Sequence, residues 1–258
     1  MNRLVAFLLL WLGTGMAMAT PPPADLDARA GFDQRLGAAL TMTAQVTDQD
    51  GHTRTLGQLA HGKPLLLAFG YYRCPNLCDL TLHGMAQAVA TMPLDPATDF
   101  HVLFLGIDPR ESSADARQAR SMLASMGKRG RPETWTFATA DARTVASLTH
   151  DAGFRYFFDR GTAQYVHPAG MIVVTPEGRI AQYFFGVGYD PGALRLALVD
   201  ASGGHLGNVI DRLVLLCCGY DPASGRYTLL ISRVTMILGS LFVLGMLAGI
   251  YRLRRRAP

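Results

Sequence analysis

The chain has 258 residues, 49% of them hydrophobic and 17% charged, which excludes a largely disordered protein and leaves room for one or two domains with a core of their own. Its net charge of +4 belongs to the ends: Arg3 lies near the start, Arg252, Arg254, Arg255 and Arg256 near the finish, and without these five the excess of four becomes a deficit of one. A body so nearly neutral offers no broad basic surface, so nucleic acid is not an expected partner.

Asn2 and Arg3 precede an apolar stretch from Leu4 to Met16, and Ala17-Met18-Ala19 follows with the small-x-small spacing that a signal peptidase accepts. Residues 1–19 are therefore expected to be a cleavable export signal, being too short a run for a spanning helix. Residues 20–35, rich in proline and alanine at their start, are expected to form a flexible leader.

The next unit, residues 36–202, carries the folded domain. Leu40 to Thr47 alternates, Asp50-Gly51 signals a turn and His52 to Thr55 returns, which predicts a β-hairpin. Leu65 to Tyr72 is an uninterrupted apolar run, the mark of a strand buried on both faces. Beyond the loop Arg73-Cys74-Pro75-Asn76-Leu77-Cys78, the pattern predicts a helix over Asp79 to Thr91, a strand over Phe100 to Ile107 and a helix over Ala114 to Met126 with Ser113 as N-cap. A strand over Thr134 to Thr139 and a helix over Ala142 to Ala152, capped by Asp141, come next. A hairpin, Met171 to Thr175 and Arg179 to Tyr183 around Pro176-Glu177-Gly178, and a helix over Pro191 to Ala201 complete the domain. Strands alternating with helices and closing on a hairpin and a helix are the order of a thioredoxin-like α/β fold with a mainly parallel sheet covered by helices.

Residues 203–228 read as a juxtamembrane linker containing Cys217 and Cys218. These adjacent thiols are buried small hydrophobes, partners in an intermolecular disulfide, or a second soft-metal or redox site; bridging each other would strain the intervening peptide. Val234 to Tyr251 is uncharged and apolar, is extended upstream through Leu229, Leu230 and Ile231, and is followed by the arginines, so residues 229–251 are expected to span a membrane and 252–258 to form a basic cytoplasmic tail. Signal and anchor agree on one topology: a single-pass protein of a bacterial inner membrane, its functional domain in the periplasm.

Cys74 and Cys78 fall at the end of a buried strand and the start of a helix, where helix amides and the dipole favour thiolate. In an oxidising compartment they could form a plain structural disulfide. They could also act as a redox pair in dithiol exchange, or converge on one metal ion. Among the seven histidines, His167, in the loop before the Met171 strand, is the best placed third donor. Two thiolates and an imidazole make a soft three-coordinate set suited to Cu(I) and incomplete for structural zinc.

Phe69-Gly70-Tyr71-Tyr72-Arg73-Cys74-Pro75-Asn76-Leu77-Cys78, Gly106-Ile107-Asp108-Pro109-Arg110-Glu111, and His167 ahead of a strand leading to Thr175-Pro176-x-Gly178 together resemble the SCO/SenC family of thioredoxin-like copper proteins, over roughly Leu40 to Ala201. The resemblance implies that Cys74, Cys78 and His167 bind a copper ion and that the protein helps metallate the CuA centre of cytochrome c oxidase, subunit II being the client and a periplasmic copper donor standing upstream. No catalytic turnover is implied; a thiol-disulfide oxidoreductase or thiol peroxidase on the same fold is the rival. Asp108 belongs to the family motif, either as an acceptor behind the metal ligands or docking aid, or as a cap on the following turn. Two departures stand out: many family members are anchored N-terminally rather than C-terminally, and here Val166 occupies the position before His167 that is often an aspartate.

Overall fold

The computed structural model describes residues 26–73, 78–126 and 130–203, with 220–221, 226–227, 239–240, 243 and 246 beyond them. The export signal, the linker cysteines Cys217 and Cys218 and the basic tail lie outside the described residues, as does nearly all of 229–251. Among the described residues no helix is long and apolar enough to cross a membrane.

In chain order the elements are α1 (Leu26–Arg29), β1 (Gly31–Phe32), β2 (Gln45–Asp48), β3 (Thr53–Thr55), α2 (Leu56–Ala60), β4 (Leu65–Gly70), α3 (Cys78–Thr91), β5 (His101–Gly106) and α4 (Ser113–Met126). They continue with β6 (Thr136–Thr139), α5 (Ala142–Asp151), β7 (Phe154–Arg155), β8 (Phe157–Asp159), β9 (Gln164–Val166), β10 (Gly170–Val174), β11 (Ile180–Phe185) and α6 (Pro191–Ser202). Seven strands form one sheet in the order β11-β10-β4-β5-β6-β2-β3. Its centre is parallel, because β4 reaches β5 through α3 and β5 reaches β6 through α4.

The expectation of a mainly parallel sheet needs correction. Only β4–β5 and β5–β6 are parallel; β10–β11, β10–β4, β2–β3 and β2–β6 are all antiparallel. Each flank of the parallel trio is extended by a hairpin, β10–β11 or β2–β3, whose own strands run antiparallel, and the inner strand of each hairpin enters the sheet against the direction of the trio.

Alternation along β4 divides the interior. Leu65, Leu67 and Phe69 point to one face, with Leu103, Leu105, Ile172 and Val174, and meet Leu56 and Leu59 of α2 and Val145 and Leu148 of α5. Leu66 and Ala68 point to the other, with Val102, Phe104, Phe137, Met171 and Val173, under Met85 and Val89 of α3, Leu123 of α4 and Leu194 and Leu198 of α6. Helices on both faces are why β4 is apolar at every position.

Several boundaries differ from the sequence reading, three of them with a clear physical cause. The leader is shorter than 20–35: Gly31 and Phe32 pair with Arg155 and Phe154, and the Phe32 ring packs edge-on against Phe154, Tyr183 and Phe185. The first strand begins at Gln45 because Thr41 to Ala44 closes a turn, Ala44 N–H donating to the Thr41 carbonyl at 2.9 Å. The cap of α4 is Ser112, not Ser113. The Ser112 carbonyl accepts the Ala116 N–H, while its own N–H and hydroxyl both donate to Asp115 at 2.8 Å.

Helix α3 meets the loop after β11 at Gly84, where an added Cβ would fall 1.9 Å from the Val187 carbonyl oxygen. Gly84→Ala is expected to destabilise the domain by about 1–3 kcal/mol in urea unfolding, since backbone rather than a pliable side chain stands in the way.

Candidate functional site

Strands β4 and β5 are parallel, so the loops that leave them emerge at one edge of the sheet. The β4 loop holds Tyr71, Tyr72 and Arg73 and leads toward Cys74, which lies outside the described residues. Cys78 opens α3 with its backbone; its side chain is also outside them. Among the described residues, which include neither thiol, no three His, Cys, Asp or Glu side chains form a metal-sized cluster.

Strand β10 runs antiparallel to β4, with Met171 opposite Ala68. The chain just before β10 is thereby brought to the end of β4 where the cysteine loop begins. His167 sits there, half-buried, its ring 5.9 Å from Tyr71 in an edge-to-face contact and 6.0 Å from Phe154. Its Nδ1 lies 3.0 Å from the Pro168 carbonyl oxygen. A carbonyl only accepts, so the proton belongs on Nδ1 and the lone pair on Nε2, one of the two tautomers in which an imidazole can bind a metal. The hairpin β8–β9 that delivers His167, pairing Phe157 with Val166, has no counterpart in the sequence reading. Its strands are three residues each, too short for alternation to register.

The turn after β5 and the first turn of α4 supply three acids that organise this edge. Asp108 accepts the Arg110 N–H at 3.0 Å and grips the Arg110 guanidinium through both oxygens, so it caps its own turn and extends Arg110 over the Phe158 ring. Burial works to raise its pKa, yet the Arg110 hydrogen bonds hold it below the ordinary carboxylate value. Asp115 takes the exposed Arg73 guanidinium in a two-point contact at 3.0 and 3.1 Å, which with the Ser112 N–H holds it down at about 2. Glu111 is buried, and its Oε1 accepts the Arg73 N–H at 2.8 Å. Burial pushes its carboxyl up to about 7 against the pull of the Arg73 and Tyr72 amides.

Of the residues singled out in sequence, the structure brings His167 to the mouth of the cysteine loop and Asp108 to the adjoining turn. Arg73, Glu111 and Asp115 were not given roles there. A signal for Asp115 exists in the spacing Ser112-x-x-Asp115, a capping pattern just ahead of a helix. Glu111 carries none, because its burial depends on the neighbouring strand.

A thioredoxin-like domain with such an edge defines a class of proteins more closely than it defines a reaction. The family model for SCO1/SenC matches residues 33–195, and the chain belongs to that family. Among solved structures, a protein from Aquifex aeolicus VF5 shares 23% identity over 66% of this chain and 96% of its own, with a TM-score of 0.58. Arabidopsis thaliana ScoI, solved with copper bound, shares 18% over 66% of this chain and all of its own, with a TM-score of 0.50. BsSco, a member of the Sco family of cytochrome c oxidase assembly proteins with a disulfide switch, shares 16% over 66% and 97%, with a TM-score of 0.51. At these identities the likeness shows the fold. No match is found among curated proteins.

The raised Glu111 value carries a sign. Unfolded, the group titrates near 4.5; folded, near 7, so the folded state holds the proton more tightly and the resulting stability, full below pH 4.5, is lost as pH rises through 7. Glu111→Gln cannot ionise. Relative to the parent protein it is expected to gain on the order of 3 kcal/mol between pH 4.5 and 8, read by urea unfolding under reducing conditions.

Proposed function

We propose that this protein is a membrane-tethered periplasmic copper chaperone, holding one copper ion through Cys74, Cys78 and His167 and passing it to the CuA site of cytochrome c oxidase subunit II. The observation that carries the reading is the seating of His167 against Tyr71, three residues before Cys74, with its lone pair on Nε2. Two thiolates beside such an imidazole are a soft donor set, and soft donors at a surface-facing sheet edge suit Cu(I) that must be released by ligand exchange. Copper is then cargo. Family membership supports the assignment, as does the copper held by Arabidopsis thaliana ScoI.

Export and tethering rest on the sequence of the two ends, and the helical, exposed placement of Val243 and Met246 agrees with a spanning segment. A tether keeps donor and membrane-bound acceptor in one plane and raises their effective concentration without a tight interface. An upstream periplasmic protein would load the site.

The same cysteines support a second reading, thiol-disulfide exchange, for which the disulfide switch of BsSco is the motivating observation. In that step the two thiols would give up two electrons and two protons to a client disulfide, leaving a Cys74–Cys78 disulfide and a client dithiol. This chemistry needs the cysteine pair and not His167.

Anaerobic Cu(I) titration of the segment from Thr20 to Tyr227, with Cys217 and Cys218 replaced by serine, separates the two. One copper per chain is expected, with His167→Ala weakening retention against a chelator by about tenfold or more and Cys74→Ser/Cys78→Ser abolishing it. Undiminished binding in His167→Ala, or fast dithiol exchange without copper binding, would leave the oxidoreductase as the better account.

A further inference from the structure

One buried acid at the site edge, Glu111, has no role in the copper reading. Glu111 leaves the turn after β5 and reaches sideways to β4, where Oε1 accepts the N–H of Arg73, the residue immediately before Cys74. The residue is 6% exposed, and among the described residues its Oε2 has no hydrogen-bond partner. Room for it is made by Gly106, where an added Cβ would lie 2.9 Å from Oε2 and 3.0 Å from the Tyr72 ring. Tyr72 covers it and is itself tied down, its hydroxyl lying 3.0 Å from the Phe104 carbonyl oxygen and 2.8 Å from that of Ala138. Arg73 is thus gripped twice, by Glu111 at the backbone and by Asp115 at the guanidinium.

Packing does not call for an acid here. A carboxyl closed in beside Asp108 and Asp115 is opposed by burial and by their charges, with Arg73 and Arg110 the cations on the same edge, and an apolar side chain of similar volume would cost the fold less. What a carboxyl supplies and an apolar group cannot is a strong acceptor for the peptide N–H at the root of the cysteine loop.

We propose that Glu111 is a positioning residue for the thiol pair: by accepting the Arg73 N–H it holds the chain entering the Cys74–Cys78 loop, and the reactivity of both thiols depends on that acceptor. The inference deepens the copper reading and rests on it only for its metal-binding consequence; the thiol consequence stands without metal.

The test uses the full chain in detergent with Cys217→Ser/Cys218→Ser, reduced and metal-free, comparing the parent with Glu111→Ala and Glu111→Gln. Iodoacetamide alkylation of Cys74 and Cys78 is expected to change about tenfold in rate in Glu111→Ala and to return to within about threefold in Glu111→Gln, whose amide oxygen still accepts. Copper(I) retention against bicinchoninate is expected to follow the same order. Equal behaviour of Glu111→Ala and parent in alkylation, or a glutamine variant as altered as the alanine one, would overturn the proposal. A parent protein that binds no copper while the alkylation pattern holds would sink the chaperone reading and leave the positioning role standing. Should Glu111→Ala not fold, amide exchange in the parent decides: the Arg73 N–H is expected to exchange at least about tenfold more slowly than an open amide, and unprotected exchange there would overturn the proposal.

Discussion

The antiparallel ladder between β4 and β10 is the constraint from which the site follows. The cysteine loop and His167 are separated by about ninety residues of chain, and nothing local relates them. Setting Met171 opposite Ala68 makes the strand that ends before the cysteines and the strand that begins after the histidine share one edge of the sheet. Because side chains alternate between faces, a slip of one residue in this register would turn the whole apolar set of β10 over. The layers on both sides of the sheet, built from Leu65, Leu67 and Ile172 on one face and Leu66, Met171 and Val173 on the other, hold that register against slipping. Core packing and the placing of the donors are thus one requirement.

Around this edge the charges are arranged by depth. Arg73 and Arg110 are exposed, while Asp108 and Glu111 are buried beneath them. Asp115, at the first turn of α4, is held ionised by its guanidinium partner, and Asp108 likewise by Arg110. Glu111 alone among the three meets a backbone amide instead of a cation, and its carboxyl is correspondingly the one pushed up. Three acids within eight residues therefore have different proton affinities because they face different partners.

Much of the fold was legible because its central strands are long and buried on both faces, which leaves continuous apolar runs, and because Asp141 caps α5 in the expected way. The sheet was misjudged at its flanks, where strand direction depends on hairpin pairing and not on composition. The first strand pair, Gly31–Phe32 with Phe154–Arg155, escaped notice since two-residue strands have no period to detect. At the candidate site, the proposed donors stood out by chemical type alone: thiols at a strand-to-helix junction and a histidine in the loop before β10. Glu111 did not stand out, because an acid next to Arg110 in sequence reads as an ordinary solvent-facing charge. Its burial comes from Tyr72 in the loop after the adjacent strand and from the missing side chain at Gly106, relations that exist only after the chain has folded.

The donors rest on supports of unequal stiffness. The cysteine loop is rooted in β4, which has neighbours on both sides in a seven-stranded sheet, and in the fourteen-residue helix α3. His167 follows β8–β9, a two-stranded ribbon that stands apart from that sheet and packs its Tyr165 ring against Tyr71 in the loop after β4. A ribbon of this size has little stability of its own. In the three-donor site proposed above, the imidazole would be the ligand whose withdrawal disturbs the least structure, because it hangs from the smaller of the two supports.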